Sequence, residues 1–374
     1  MPSLAGVLHP LPAVSGIQID ATCESDSLQM ITSLVRALVG DVARASRTQA
    51  VYHGFTFRAQ QLPPTLFLTT LIINKNQTRI ERTRLVPFCV HPTFGTVDMA
   101  QQIELRQVKG GHDREDLFNT LNEYLQPQSS TTASSVASAV ANLPVDKNDI
   151  TRTWDEGFFW GFWSDVISVA EQIPHNHPAQ DKLVAFLKEL SSLPDTGVKV
   201  WDARVWADLP LMGAAFREHL NGSRVSGDAE TQAEMDRAWV SFHAFEARVI
   251  NAGLSQSETF AIWMLRAGLE EDQANSKTFD RDLMTAAVYI EYAGPTLLDR
   301  LAKSPEPRLG EQDQRMLKGG SLFSGKSGLT RERWMFWIDR FRELAEKTTD
   351  GEVKQLALHA ADLIEEGSKQ RLQG

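Results

Sequence analysis

Cysteine is scarce in this sequence. Two cysteines, Cys23 and Cys89, occur among 374 residues, and neither has a Cys or His neighbour at the spacing of metal ligands. A disulfide framework and a zinc finger are therefore not predicted. Such scarcity is typical of a reducing compartment, so we expect a cytoplasmic protein, with a shared cytoplasmic and nuclear location as the alternative.

Long hydrophobic runs are missing as well. No apolar stretch approaches the roughly 18 residues that a membrane-spanning helix needs. The first residues, MPSLAGVLHPLPAVSG, lack a basic region and are broken by prolines, which makes them a poor signal peptide. We therefore expect a protein that has no membrane partner.

A basic surplus is also missing, because the formal net charge is −10. Residues 1–112 contain 10 of the 38 Lys and Arg and 7 of the 48 Asp and Glu, so the acidic excess lies in residues 113–374. Since phosphate binding needs a basic face, we expect no nucleic-acid partner. A local basic patch around Arg79, Arg82 and Arg84 is the alternative that would favour one.

Tryptophan, in contrast, is concentrated in the second half of the chain. All nine tryptophans lie between Trp154 and Trp337. The stretch from Trp154 to Leu193 predicts a helix, a Pro-containing turn and a second helix, because its apolar residues recur three and four positions apart. We expect burial of the apolar face of the first helix, which consists of Trp154, Phe158, Phe159, Phe162, Trp163, Val166, Ile167 and Ala170.

Residues 1–112 are predicted to form an N-terminal extension of mixed α and β structure. Residues 1–25 are interpreted as a loose tail, and Ser27 is expected to cap a helix that ends near Arg47. Four segments rich in β-branched and aromatic residues are predicted strands, namely VYHGFTFR, TLFLTTLII, LVPFCV and IELRQV. The alternative is a disordered extension whose apolar runs only resemble strands. The domain boundary is placed at Lys109–Gly111.

Residues 113–374 are predicted to form an all-α domain of about ten packed helices. Apolar residues recur at helical spacing between short connections, and no strand pattern alternates with them. The helix around Ala286 is expected to be interrupted at Gly294–Pro295. Because no fixed repeat period is found, the domain is either a bundle or an array of helical hairpins.

The segment from Gly320 to Ser327, GSLFSGKS, matches the pattern of a nucleotide-binding loop. A phosphate cradle also needs a buried strand before the loop and a helix that starts at the Lys-Ser pair. Here a polar stretch precedes the loop, and the next helix is expected only after Thr330. We therefore interpret the segment as a Gly-rich connection between two helices.

Two histidines in one loop, His175 and His177, are candidate metal ligands together with Asp181. Further ligands are not visible nearby in the sequence. We favour a simpler interpretation, in which Asn176 or His177 caps the helix that follows.

Several ionisable residues lie within apolar helices. His219 and His243 are interpreted as core or boundary histidines. The run Glu270–Asp272 is interpreted as a solvated helix end rather than half of a glycosidase-like carboxylate pair. No arrangement of nucleophile and base can be assigned, so we predict no catalytic, cofactor-binding or metal-binding residue. Buried ion pairs that fix helix register are predicted for Glu246 with Arg248, Arg266 with Glu270, and Glu291.

Six segments of the helical region resemble a large fungal family of helical proteins known as a domain of unknown function. In chain order they are WSDVISVAEQIPHNHPAQDKLVAFLKEL, VWADLPLMGAAFREHLN, AWVSFHAFEARVI, FAIWMLRAGLE, AAVYIEYAG and RWMFWIDRF. The resemblance covers residues 113–347 and implies an all-α fold and a filamentous-fungal origin. One branch of the family comprises accessory proteins of oxopyrrolidine biosynthesis clusters. The resemblance implies no established activity, so no catalytic residue is carried over.

Two functions follow from these observations. The first is a non-catalytic protein that binds a protein partner, as an accessory factor of secondary-metabolite biosynthesis. The alternative is an enzyme or binder of a small hydrophobic metabolite, with a pocket lined by Trp and Phe. A deep pocket with a histidine beside a carboxylate would favour the alternative, and a shallow exposed surface would favour the first function.

Overall fold

The computed structural model describes residues 69–74, 77–82, 102–107, 114–143, 154–221, 226–255, 258–273 and 276–371. The chain divides into two compact units, residues 1–90 and residues 91–374. The predicted tail, the predicted helix that ends near Arg47 and the predicted strands VYHGFTFR and LVPFCV lie outside the described residues.

The first unit contains an antiparallel hairpin. Strand β1, Thr69–Asn74, pairs with β2, Gln77–Arg82, with Asn74 opposite Gln77. The strand predicted in TLFLTTLII is thus confirmed over its C-terminal part. Its partner QTRIER was not predicted, because a mostly polar segment gives a weak strand signal.

The second unit is helical, which confirms the predicted all-α domain. Its described residues form eleven helices and one short two-stranded ribbon. The helices are α1 (Glu115–Leu125), α2 (Ala133–Ala141), α3 (Glu156–Gln172), α4 (Ala179–Ser191), α5 (Met212–His219), α6 (Ala229–Asn251), α7 (Thr259–Leu269), α8 (Phe279–Lys303), α9 (Glu311–Met316), α10 (Arg331–Ala345) and α11 (Gly351–Arg371). The ribbon consists of β3 (Lys199–Val200) and β4 (Ala203–Arg204).

Helices α3 and α4 form the hairpin that the apolar spacing predicts. Asp155 begins α3 by accepting a hydrogen bond of 2.8 Å from the backbone N–H of Phe158. At the turn, the buried amide of Gln180 donates to the carbonyls of Ala170 and Ile173, at 3.2 and 2.8 Å. The same amide donates to the carbonyl of Ser241 on α6 at 3.2 Å. One side chain therefore closes the hairpin and joins it to α6.

Helix α6 separates two hydrophobic clusters and contributes to both. Its residues Phe242, Phe245 and Val249 pack into the first cluster, which contains the apolar faces of α1 to α5. Residues on the opposite side pack into the second cluster with α7, α8, α10 and α11, and they are Val240, Ala244, Ala247 and Ile250. Each set follows the three-and-four spacing of one helix face. Every residue from 239 to 250 is buried as a result.

The predicted interruption of α8 at Gly294–Pro295 is wrong, because the helix runs through both residues from Phe279 to Lys303. Gly294 has no Cβ, which reduces the steric conflict that a proline imposes on the residue before it. Packing against α6, α7 and α11 offsets the cost of an internal proline, about 3 kcal/mol.

The predicted strand IELRQV is also wrong over its residues 103–107, which are described and form no strand. Two glutamine side chains replace a strand partner. Gln126 pairs with both the N–H and the carbonyl of Ile103, each at 3.1 Å. Gln172 pairs in the same way with Arg106, at 2.7 and 3.0 Å. The predicted domain boundary at 109–111 stays a prediction.

A close crossing of α7 and α8 gives a test of this packing. A Cβ on Gly268 would collide with the carbonyl of Asp282 and lie 2.9 Å from the Cβ of Ala286. We expect Gly268→Ala to lower the free energy of unfolding by about 1–3 kcal/mol in urea denaturation. Gly213→Ala in α5 is the matched control, because nothing lies within 4 Å of its new Cβ. Equal stability of the two variants would contradict the close crossing.

Candidate functional site

The ribbon β3–β4 has an unusual turn. Val200 pairs with Ala203, so Trp201 and Asp202 form a two-residue turn, and their φ angles are 52° and 64°. Positive φ at both positions defines a type I′ turn, which usually contains Asn-Gly. A tryptophan in this conformation is strained, since the left-handed region crowds its Cβ. The turn presents Trp201 to solvent, with 61% of the residue exposed.

Backbone strain continues after the ribbon. Trp206, Leu209 and Leu211 also have positive φ angles, of 64°, 47° and 64°. Each such residue costs roughly 1–3 kcal/mol. At Trp206 the surrounding packing offsets this cost, because its buried indole contacts four rings edge-on. Their centroids lie 5.4 to 6.0 Å away, and the rings are Trp154, Phe158, Phe159 and Phe162.

Trp201 meets the first turns of α3 at a surface that we call the tryptophan corner, formed by Glu156, Trp160 and Trp201. The indole N–H of Trp160 donates to Oε1 of Glu156 at 3.1 Å, and that of Trp201 donates to Oε2 at 3.0 Å. The two ring centroids are 6.4 Å apart, and the ring planes make an angle of 79°. Trp160 is partly buried, and Glu156 is exposed. One carboxylate therefore fixes the orientation of two indoles at the surface.

The tryptophan corner can bind a ligand, and its one ionisable group, the carboxylate of Glu156, is bonded to both indole N–H groups. It offers indole faces and a negative charge, and it contains no histidine, cysteine, serine or lysine. Tryptophan is among the residues that contribute most to protein interfaces, because its large rigid ring loses little conformational entropy on binding. The geometry therefore suits recognition.

The two loop histidines, His175 and His177, have different hydrogen-bond partners. The predicted cap by Asn176 or His177 is wrong as to position, because Pro178 is the N-cap of α4, although Nδ1 of His177 accepts a hydrogen bond of 3.1 Å from the N–H of Ala179. His175 pairs with Glu352 at 3.4 Å, and this hydrogen bond lowers the pKa of Glu352. Asp181 pairs with Arg248 at 2.9 Å. No group of three or more His, Cys, Asp or Glu in the described part of the chain could hold a metal ion.

The other two candidate histidines lie where the sequence predicts. His219, at the boundary of the core, pairs with Glu171 at 3.0 Å. His243 is fully buried, and its Nδ1 lies 3.2 Å from Glu246 and 2.9 Å from the hydroxyl of Tyr289. Tyr289 also donates to Glu246, and burial followed by this carboxylate raises the pKa of Tyr289 well above its ordinary value. All three residues are less than 2% exposed, so this cluster is closed to a substrate.

The predicted ion pairs have different partners. Residues two apart on a helix point in different directions, so Glu246 contacts His243 while Arg248 contacts Asp181. Glu291 pairs with His359 at 2.9 Å. The prediction of a solvated Glu270 is wrong, since Glu270 is 0% exposed. It pairs with the equally buried Arg333 instead of Arg266.

Arg333 uses all of its donors inside the core. Its Nε and Nη2 atoms bind the two carboxylate oxygens of Glu270, at 2.6 and 2.9 Å. Its remaining N–H groups bind the carbonyls of Leu317, Lys318 and Gly328, at 2.7, 3.3 and 3.1 Å. A fully paired guanidinium of this kind can be buried, because each lost contact with water is replaced.

The Glu270–Arg333 ion pair also holds the Gly-rich loop in place. Residues 320–327 connect α9 to α10, as predicted, and α10 begins at Arg331 rather than at the Lys-Ser pair. The N–H groups of Gly320 and Ser321 donate to the carboxylates of Glu270 and Glu271, at 2.9 and 3.1 Å. These amides therefore bind the protein's own carboxylates, in the place where a phosphate-binding loop would face phosphate.

A small pocket lies between residue 107, α1 and α3, and Asp165 and Arg114 are its charged residues. Its volume of about 20 Å³ is enough for one water molecule. Burial raises the pKa of Asp165 to about 6, against the opposing effect of Arg114. The pocket contains no tryptophan, and Phe118 is its one aromatic residue. This pocket therefore differs from the Trp- and Phe-lined pocket that the alternative function predicts.

Sequence reasoning did not find the tryptophan corner. Trp160 and Trp201 are 41 positions apart in the chain, and no local pattern joins them. The signal that could have indicated the turn is the Trp-Asp pair between the short apolar segments on either side, since Asp tolerates positive φ.

We expect Arg333→Met to lower the free energy of unfolding by about 3–5 kcal/mol, because it leaves the carboxylate of Glu270 buried without a cation. Lys326→Met on the same loop is the control, since its ion pair with Glu306 is mostly exposed. We expect this control to match the parent chain in urea denaturation. A loss as large for Lys326→Met as for Arg333→Met would contradict the assignment.

Asp165 should give the stability a pH dependence. Between about pH 4 and pH 6 the folded chain binds more protons at Asp165 than the unfolded chain, so its contribution to stability falls as pH rises. Asp165→Asn removes this loss, and we expect the variant to gain stability over the parent chain across that interval. Because the side chain of Asp165 is partly exposed, screening by solvent makes this gain in stability smaller. If the free energies of unfolding of Asp165→Asn and of the parent chain depend on pH in the same way, the raised pKa of Asp165 is refuted.

Comparison with known proteins gives one match. Residues 163–341 match a family model described as "Protein of unknown function (DUF3632)". The matched segment runs from α3 to α10, so it includes Trp201 and both sides of α6, while Glu156 and Trp160 precede it. No curated protein and no solved structure shows significant similarity to the chain. The expected resemblance to a domain of unknown function is thus confirmed over this segment.

Proposed function

We propose that this protein is a non-catalytic interaction protein that binds a protein partner through the tryptophan corner. The observation that carries the proposal is the exposure of Trp201, 61%, in a turn whose backbone is strained. Strain in a backbone persists where a conformation is needed, and here it holds a large apolar ring in water. A partner would remove that ring from water and gain about 25 cal/mol per Å² of apolar surface.

The distribution of ionisable groups supports binding rather than catalysis. The His243, Glu246 and Tyr289 cluster is closed, and the loop amides of residues 320–321 bind Glu270 and Glu271. The pocket at Asp165 has room for one water molecule. None of these places combines an accessible acid or base with a cavity for a substrate.

An accessory role in fungal secondary metabolism, in the cytoplasm, is part of this proposal. The family resemblance supports the biosynthetic association, and the scarcity of cysteine supports a reducing compartment. In the described residues, no helix combines the length and the apolar character needed to cross a membrane. The partner would then be an enzyme of the same biosynthetic cluster.

The test is quantitative capture of partners from an extract of the native host, using the full chain and two variants. We expect Trp201→Ala to weaken capture of the partner by at least about 2 kcal/mol, roughly thirtyfold, as for an interface hot spot. The substitution leaves the fold intact because the side chain is mostly exposed. Binding of the identified partner is then measured by calorimetry with purified proteins.

Met335→Ala is the matched control, since Met335 is a large apolar residue with 44% exposure on α10. We expect it to capture the same partner as the parent chain. If both variants behave alike, or if the chain binds no protein, the tryptophan corner is not a protein-binding site.

A further inference from the structure

We propose that the tryptophan corner recognises an N-methylated ammonium group, carried by a lysine side chain of the partner. This inference names the ligand chemistry of the site and, for the source of the ammonium, rests on the proposed function. Its first support is the arrangement of the rings. The ring planes make an angle of 79° and the centroids are 6.4 Å apart, so the indoles meet edge to face at the surface. A cation seated against this pair can lie within roughly 6 Å of a ring centroid, the range over which cation–π attraction acts.

The second support is charge. The carboxylate of Glu156 joins both indoles, and Asp155 and Asp202 are next to Glu156 and Trp201 in the chain. Lys199 on β3 and Arg204 opposite it on β4 are the opposing charges of the ribbon, and Arg204 is paired with Asp208 at 2.7 Å. In the described part of the chain, no Lys or Arg lies over the ring of Trp160 or Trp201, although cations cover several other aromatic rings. The corner therefore presents two tryptophan rings, neither with a Lys or Arg of the described residues over it, beside a negative charge.

The third support concerns hydrogen bonds and selects methylated over unmodified ammonium. An unmodified lysine ammonium carries three N–H donors, each of which needs an acceptor once it leaves water. The faces of the two indoles offer no conventional acceptor, and one lone pair of each carboxylate oxygen of Glu156 is already used by an indole N–H. Methyl groups remove donors and replace them with apolar contacts to the rings, while the positive charge stays. The corner thus matches a charged group that is apolar at its surface.

The primary test is an NMR titration of the full chain, labelled with ¹⁵N-tryptophan, with tetramethylammonium chloride. We expect saturable shifts of the indole N–H signals of Trp160 and Trp201. The neutral compound 3,3-dimethylbutan-1-ol and sodium chloride at equal ionic strength should leave both signals in place. Equal shifts with the neutral compound, or none with tetramethylammonium, would overturn the inference.

Three variants test whether tetramethylammonium binds at the tryptophan corner. We expect Trp201→Ala to weaken tetramethylammonium binding by about tenfold, through loss of one cation–π contact. Glu156→Gln keeps an oxygen acceptor but removes the charge, and should weaken binding severalfold. Met335→Ala should bind like the parent chain. Unchanged affinity in Trp201→Ala would place the cation elsewhere and refute the assignment.

A second experiment identifies the source of the ammonium. Peptides of one sequence with unmodified, dimethylated or trimethylated lysine are compared by fluorescence anisotropy, and the methylated forms should bind more tightly. If tetramethylammonium binds but no methylated peptide does, the ligand is a small quaternary ammonium compound, and the protein source is refuted. If protein capture depends on Trp201 without any response to tetramethylammonium, the proposed function stands and this inference fails.

Discussion

The burial of helix α6 on both sides is the constraint on which the helical unit depends. A helix with one apolar face can lie on a surface, but the Phe242 face and the Ala244 face of α6 each need a separate layer of helices. The first layer is the α1 to α5 side, and the second is the α7, α8, α10 and α11 side. Because α6 belongs to both clusters, neither layer can pack fully without it.

Burying α6 also buries His243, Glu246 and most of Arg248, and each has a specific partner. His243 and Glu246 share the hydroxyl of Tyr289, and Arg248 reaches Asp181 at the start of α4. The same requirement operates in the second layer at Arg333 and Glu270, whose carboxylate also receives the indole N–H of Trp337 at 2.7 Å. Such pairs add little net stability, but a wrong register would leave a buried charge unpaired, so they penalise alternative packings.

Strain in the segment 201–211 has two consequences for the surface. Trp206 is drawn under the rings of α3 and stabilises the segment, while the turn before it projects Trp201 outward. Burial of Trp206 thus offsets the backbone strain of the turn that exposes Trp201. Glu156, in the first turn of α3, then holds the exposed ring against Trp160. The tryptophan corner therefore belongs to the same local structure that completes the first core.

The sequence by itself determined the helical class, the α3–α4 hairpin and the start of α10 after Thr330, because these depend on local spacing and local hydrogen bonds. The tertiary structure decided what no local pattern contains. Helix α8 continues through Pro295 because three neighbouring helices support it, and Glu270 is buried because Arg333 meets it from a distant helix. The tryptophan corner depends on a contact between Glu156 and Trp201, two residues separated by a hairpin and a strained turn. Such contacts are set by the packing of whole helices, which the spacing of residues within one helix does not specify.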